Sequence, residues 1–358
     1  MIKITQLKVG EEVVKCGQVN LILGSNNTGK SRLLGEILSS LEELVIPKTG
    51  LWLSEIEVET NGTRSAFEKS FPRVLNAPDF DSATQQSSKE ILNLVQNLEW
   101  NRNVFDGLKS VDDDLRKIVI DHTSTRDADY YFKKFIFRLK TKSEFCSERL
   151  DGPFETTIQD IAGDYRDIVH FLYANETLFS SISRHISRVF GFEIAFDDLE
   201  QGRKHIRLKP QNKINRSLPN LERARLWSES SKIIGEQGDG IKAYLRIIFS
   251  LFSLDRSIVL IDEPEAFLHP PQRRSLGRFI SENARQEKQI FIATHDSEFL
   301  RGILINPPPD LKIIHLSNDN GQYRLRIGVP DDGRASQNYN ELLLNSFQPP
   351  DSTMRSRR

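Results

Sequence analysis

Apolar and polar residues alternate over Ile2–Val9 and again over residues 13–23, the second stretch ending in Val19-Asn-Leu-Ile-Leu23. A period of two sends successive side chains to opposite faces, so both stretches predict strands. From residue 31 to 45 the apolar positions are Leu33, Leu34, Ile37, Leu38, Leu41 and Leu44. That spacing predicts a helix with one buried face, and Pro47 and Gly50 end it. Residues 51–60 are strand-like again, with Trp52, Ile56 and Val58 set among acidic residues.

The character changes between residues 80 and 190. Helical spacing dominates around Ile91, Leu92, Val95 and Leu98, over 130–139, and over 168–189. No heptad pattern persists for three or four repeats, which argues for a helical insertion and against a long coiled coil. Residues 192–196 and 205–208 read as short strands around a polar turn, and 210–218 as a polar link. Beyond residue 233, helix and strand alternate. Helices are expected at 241–252 and 272–285, strands at 258–261, 289–293 and 311–316, and an edge strand at Gln322–Gly328. This alternation predicts an α/β fold, a mixed or parallel sheet flanked by helices on both faces, with a helical insertion. The expected organisation is an N-terminal part at 1–79, the insertion at 80–190, a C-terminal part at 191–345, and a polar, disordered tail at 346–358.

Composition narrows the function classes. The chain has 358 residues, 38% apolar and 28% charged, with a net charge of −1. Near-neutral charge predicts neither a nucleic-acid binder nor a membrane-surface binder, although a local basic patch is compatible with it. No apolar run approaches the roughly 18–20 residues that cross a bilayer, and the first residues lack a signal peptide's apolar stretch. The two cysteines, Cys16 and Cys146, are far apart and form neither a disulfide framework nor a zinc site. A cytoplasmic setting is expected.

The candidate chemistry begins at Gly24-Ser-Asn-Asn-Thr-Gly-Lys-Ser31, a complete phosphate-loop pattern between an apolar strand and an amphipathic helix. Glycines 24 and 29 let the backbone curl so that amides, including those of Asn26, Asn27 and Thr28, face phosphates. The following helix adds its positive end. Lys30 places a charge on the β- and γ-phosphates, and Ser31 offers a hydroxyl to Mg²⁺. Ile258-Val-Leu-Ile-Asp262-Glu263-Pro264-Glu265 is an apolar run ending in three carboxylates, delivered to the carboxyl end of the sheet. Asp262 is the expected Mg²⁺ ligand and Glu263 the general base for the attacking water.

Two further features distinguish among phosphate-loop classes. The strand run Phe291-Ile-Ala-Thr-His295-Asp296 ends in a histidine that resembles the switch histidine of ABC ATPases, which contacts the γ-phosphate. Gly235-Glu-Gln-Gly238-Asp239-Gly240 precedes a helix and resembles the ABC signature loop, which completes the ATP site of the opposite subunit. Gly238 stands where that loop usually carries serine.

Asp262-Glu-Pro-Glu-Ala-Phe-Leu-His-Pro-Pro-Gln272, with the Gly-Asp-Gly variant and Ala-Thr-His-Asp-Ser-Glu-Phe-Leu300, resembles the OLD-like ATPases, frequent in bacterial anti-phage defence. The resemblance covers about residues 1–60 and 190–330. It implies an ATP hydrolase requiring Mg²⁺ and a homodimer, or larger homo-oligomer, formed around an ATP sandwich. His269 holds the D-loop position where transporters carry aspartate and is expected to face the partner subunit. Few residues follow His295, and they contain no acidic cluster that could build the Toprim nuclease domain of OLD nucleases. A separate effector protein, nuclease or toxin, is therefore implied, as in PARIS- or Septu-like systems. Residues 1–30 contain no Phe, Tyr or Trp to stack adenine. Gln85, Gln86 and Gln159 are candidates for the Q-loop position.

Two alternatives stand beside this reading. A RecF- or SMC-like DNA-maintenance ATPase would use nucleic acid as partner, through a face carrying Arg184, Arg188, Arg203, Lys204, Arg207 and Lys209. A transporter ATPase subunit fits less well, given the missing aromatic, the atypical signature and the long insertion, so no membrane partner is expected.

Overall fold

A six-stranded sheet forms the centre of the computed structural model, in the order β13-β12-β3-β11-β10-β5. The structure describes residues 2–43, 50–60, 141–144, 154–157, 168–197, 203–209, 229–252, 257–284, 288–319 and 322–328, with a few isolated positions between 219 and 226. The strands are β3 (Val19–Leu23), β5 (Thr141–Glu144), β10 (Ile258–Asp262), β11 (Gln289–Thr294), β12 (Leu311–Asp319) and β13 (Gln322–Gly328). All neighbours pair in parallel except β13, which adds an antiparallel edge.

Strands β3, β10 and β11 are buried along their whole length, as parallel strands covered on both faces must be. Their alternating residues divide the core in two. Leu21, Leu23, Val259, Ile261, Ile290 and Ile292 face a cluster with α3 (Glu176–Phe190), α4 (Asp239–Phe252), α5 (Pro270–Asn283) and α6 (Ser297–Leu304). Ile22, Ile258, Leu260, Phe291 and Ala293 face the other way, onto α1 (Lys30–Glu43) and a three-stranded antiparallel sheet. That sheet has the order β2-β1-β4, from β1 (Ile2–Val9), β2 (Glu12–Lys15) and β4 (Leu53–Thr60). The expected α/β sheet flanked by helices is the observed fold.

Several boundaries differ from the sequence expectation for identifiable reasons. Residues 13–23 are two strands in two different sheets. The chain switches at Gly17, where a Cβ would lie 2.3 Å from the Asp310 carbonyl. Asn20 fixes the switch by accepting from the Gly17 amide at 2.8 Å and donating to its carbonyl at 2.9 Å. Gln289 then stitches the sheets together, accepting from Ile4 N at 2.7 Å and donating to the Ile4 and Gly17 carbonyls.

The stretch 80–190 is not uniformly helical. Thr141–Glu144 is an edge strand of the central sheet, parallel to β10, and β6 (Glu155–Thr157) pairs with β8 (Arg203–Leu208). Short polar strands carry no periodic signal of their own, and their partners lie far away in sequence. The expected helix over 168–189 is two helices, α2 (Ile168–Ala174) and α3, parted at Asn175. The Asn175 side chain accepts from the Leu178 amide and caps the second helix. Strand β8 also pairs with β7 (Ile194–Phe196) and the two-residue β9 (Lys232–Ile233). The helical expectations at 91–98 and 130–139, the three Q-loop candidates and the tail lie outside the described residues.

Candidate nucleotide site

Parallel register brings three strand ends together. Leu23 of β3 is level with Thr294 of β11, and Ala293 is level with Asp262 of β10. The chain leaves these strands at Gly24, His295 and Glu263, three neighbouring exits on the carboxyl edge where open α/β sheets bind ligands. The sequence motifs, far apart along the chain, are thus gathered by topology.

The loop 24–31 is held by close contacts that only its sequence permits. A Cβ on Gly24 would meet the Leu316 carbonyl and Thr28 Oγ1, each at 2.5 Å. Thr28 closes the loop from within, its hydroxyl donating to the Ser25 carbonyl at 2.9 Å. Asn27 (φ 65°) and Gly29 (φ 86°) adopt left-handed backbone conformations. Alternation of hands lets successive amides converge on one point, the geometry of an anion nest. A Cβ on Gly29 would lie 2.4 Å from Trp52 Nε1. Trp52 is itself fixed by Glu36 of α1, whose carboxylate accepts from the amides of Leu51, Trp52 and Leu53 at 2.6, 3.0 and 2.8 Å. Sequence reading assigned neither Trp52 nor Glu36 a place at this loop. The available signal was a glutamate on the mostly apolar buried face of α1.

Lys30 is buried, and its Nζ donates to the Ser25 carbonyl at 2.8 Å. Burial pushes its ammonium below the usual lysine range, while Glu263, Glu265 and Asp262 pull in the opposite direction. Ser31 Oγ donates to Asp262 Oδ1 at 3.0 Å, joining the first turn of α1 to the end of β10. A serine hydroxyl beside a carboxylate is an all-oxygen pair suited to a hard divalent cation. Among the described residues no group of three or more His, Cys, Asp or Glu is clustered to hold a metal alone. Further oxygens would have to come from outside those side chains.

Glu263 follows with φ 48°, a left-handed conformation that costs a non-glycine residue about 1–2 kcal/mol. Its amide donates to the Ala293 carbonyl at 2.9 Å, and its carbonyl accepts from Ala266 N at 3.0 Å, so the strand ends in a tight turn. Phe267, 47% exposed, is also left-handed with φ 65°. Strain of this kind gathers where the surrounding structure imposes it, often at functional sites.

His295 exits β11 with its side chain 37% exposed, and its Nδ1 stands 3.2 Å from Glu265 Oε1. Asp296 caps α6 by accepting from Phe299 N at 2.7 Å. The segment 238–240 is placed differently. Gly238 and Asp239 are exposed, Asp239 and Gly240 form the first turn of α4, and a Cβ on Gly240 would lie 2.7 Å from the Phe267 carbonyl. The structure therefore groups Lys30, Ser31, Asp262, Glu263 and His295, and brings Gly240 against the 263–269 turn, with Gly238 and Asp239 exposed. His269 is exposed at the start of α5, its amide donating to Gln272 Oε1 at 2.9 Å.

Part of the basic face is neutralised. Arg207 forms a buried ion pair with Asp197 at 2.6 Å, Lys209 meets Glu193, and Lys204 lies over the Tyr173 ring. Arg184 and Arg188 are exposed one turn apart on α3. No helix among the described residues is long and apolar enough to cross a membrane.

Among solved structures, the chain is similar to an Smc head domain with an extended coiled coil, bound to the C-terminal domain of ScpA, from Pyrococcus furiosus. Identity there is 16% and the TM-score 0.42, over 96% of this chain and 100% of that one. It is similar to the SMC head domain from Thermotoga maritima at 13% identity and TM-score 0.39, over 91% and 99%. An ATP-binding subunit of an ABC transporter gives 13% and 0.37, over 97% and 100%. No curated protein matches the chain. A match to the family described as "AAA domain, putative AbiEii toxin, Type IV TA system" spans residues 19–301, from the first residue of β3 into α6. That span is most of the chain and contains every residue of the site, so this protein belongs to that AAA-domain family and is a P-loop ATPase that binds ATP.

Proposed function

We propose that this ATPase is an ABC-type, OLD-like enzyme that binds Mg·ATP and hydrolyses it at an interface between two copies, controlling a separate effector in anti-phage defence. The observation that carries the chemical reading is the 3.0 Å contact from Ser31 Oγ to Asp262 Oδ1, which joins the two ligands expected for magnesium. Bound Mg²⁺ supplies charge neutralisation on the phosphates. Amides of the 24–31 loop orient those phosphates, and Lys30 exchanges its bond to the Ser25 carbonyl for one to a phosphate oxygen. Glu263, turned out of the strand by its left-handed backbone, accepts a proton from water as the water oxygen attacks the γ-phosphorus. The bond from that phosphorus to the bridging oxygen breaks, leaving ADP and phosphate. His295 contacts the γ-phosphate.

Gly238 and Asp239 are exposed next to Gly240, which meets the 263–269 turn, and in this reading they serve the ATP held by a second copy. The defence setting rests on the resemblance of the 262–272 and 293–300 stretches to OLD-like ATPases.

The testing experiment is ATP turnover and binding by two variants. Lys30→Ala is expected to lose ATP binding. Glu263→Gln is expected to keep binding, stop hydrolysis and accumulate an ATP-held dimer in size-exclusion chromatography. Unchanged turnover in Glu263→Gln refutes the base assignment. Co-purification with the product of the neighbouring gene tests the effector. The second reading, a DNA-maintenance ATPase, draws on exposed Arg184 and Arg188. Its mark is duplex-DNA binding that weakens steeply with salt.

A further inference from the structure

Glu265 is the third carboxylate of the 262–265 run, and the roles above leave it unused. It is 5% exposed, deep for an acid. Its Oε2 accepts from Thr294 Oγ1 at 2.8 Å and its Oε1 from the His295 amide at 3.2 Å. The same Oε1 lies 3.2 Å from His295 Nδ1, a buried ring nitrogen with no other hydrogen-bond partner among the described residues. The neighbouring residue is held from the same stretch of chain. Arg273 donates to Asp296 Oδ2 and to the Leu268 carbonyl, both at 2.7 Å. Asp296 N in turn donates to Thr294 Oγ1 at 3.1 Å.

A buried carboxylate has a reason to be here only if its cost is offset by converging donors. Burial does raise the Glu265 carboxyl above the usual range, while the bonds from Thr294 and His295 work against that rise. A histidine's tautomer is set by what its other ring nitrogen meets. From this arrangement we infer that Glu265 is a positioning residue for His295: its Oε1 holds the ring in the Nδ1–H tautomer and leaves the Nε2 lone pair, on the opposite side of the ring, to accept from a water at the γ-phosphate. The inference rests on the reading that His295 faces the γ-phosphate.

Two readouts on the full chain separate the inference from that reading. Glu265→Gln is nearly isosteric but lacks the charge. It is expected to lower kcat about tenfold, a fraction of what proton-handling groups contribute, with KM for ATP changed by less than about twofold. In a His295→Ala background the same substitution is expected to add nothing. In ¹⁵N-histidine-labelled protein without nucleotide, the His295 resonances, identified by their loss in His295→Ala, are expected to move from the Nδ1–H pattern towards Nε2–H in Glu265→Gln. Unchanged His295 resonances in Glu265→Gln overturn the inference, as does an undiminished kcat loss in the His295→Ala background. Full kcat in His295→Ala alone removes the γ-phosphate reading, and the ¹⁵N comparison still decides for or against Glu265. Should Glu265→Gln not fold, Thr294→Val removes the hydroxyl that pins Oε2 and with it the acceptor of the Asp296 amide, so the ¹⁵N pattern of His295 is then the deciding readout.

Discussion

Gly29→Ala is the sharpest test of how the phosphate loop is built, because two independent terms act at one position. The backbone there has φ 86°, outside the comfortable range of an L-residue. Holding alanine in a left-handed conformation costs about 1–2 kcal/mol. The new Cβ would also stand 2.4 Å from Trp52 Nε1. Trp52 cannot easily withdraw, because Glu36 anchors its backbone and those of its neighbours. Forcing such an overlap costs about 1–3 kcal/mol. Together these predict a loss of about 2–5 kcal/mol, measured as the shift in urea midpoint at unchanged m-value. Trp52→Ala separates the terms: it removes the indole that the new Cβ would meet, so the double variant should recover the steric part relative to Trp52→Ala alone and retain the backbone part. Gly35→Ala, in the interior of α1 with nothing within 4 Å of its Cβ, is the control. It should stabilise by about 0.5–1 kcal/mol. Equal stability of Gly29→Ala and wild type would refute the account, and so would additive effects of Gly29→Ala and Trp52→Ala.

Three further outcomes follow from the same contacts. Glu36→Ala leaves three backbone amides without their acceptor and should cost about 3 kcal/mol or more in denaturant unfolding, with Glu36→Gln losing less. His185 lies 2.7 Å from the Tyr244 hydroxyl, and burial, then Arg188, pushes its ring down to about 4 from 6.5. The unfolded chain therefore takes up a proton that the folded chain refuses. Stability is full above pH 6.5 and falls as pH drops towards 4, by about 1–2 kcal/mol after solvent screening of a half-buried ring. His185→Gln should flatten that slope in urea titrations at pH 7.5 and 4.5. Asp262→Asn keeps a partner for the Ser31 hydroxyl but removes the charge, so ATP turnover at low Mg²⁺ should fall at least tenfold and recover partly at high Mg²⁺. Metal-independent turnover would count against Asp262 as ligand.

What the sequence made legible was whatever rests on local patterns. The strands that carry Gly24, Asp262 and His295 are unbroken apolar runs, since burial on both faces allows nothing else. The fold class followed from them. Thr141–Glu144 was not legible, because its place beside β10 is decided by distant pairing and by no pattern of its own. Helix α6 was missed although Asp296, with Phe299, Leu300 and Ile303 at helical spacing, carried a capping signal. Glu265 was visible as a third acid, but its partners Thr294 and His295 arrive from another strand, and no spacing along one segment reveals a bond across two.

The contacts also divide the site into two bodies. The loop 24–31 is fastened to β4 and α1 through Gly29, Trp52 and Glu36, all on the face that packs the antiparallel sheet. The 263–269 turn is fastened to the other side. It joins His295 through Glu265, Asp296 through Arg273, and α4 through the close approach of Gly240 to the Phe267 carbonyl. Helices α5 and α6 reinforce this body, because Gly277 and Gly302 let their backbones touch: a Cβ at either would fall within 2.2 Å of the facing carbonyl. Packed interiors shift between discrete arrangements and do not deform continuously. His295, Glu265 and the turn are thus linked by direct contacts, and the turn itself lies against Gly240 at the start of α4. The hydrogen bond from Ser31 to Asp262 crosses from the first body to the second. A ligand that enters between them acts where the two bodies are joined.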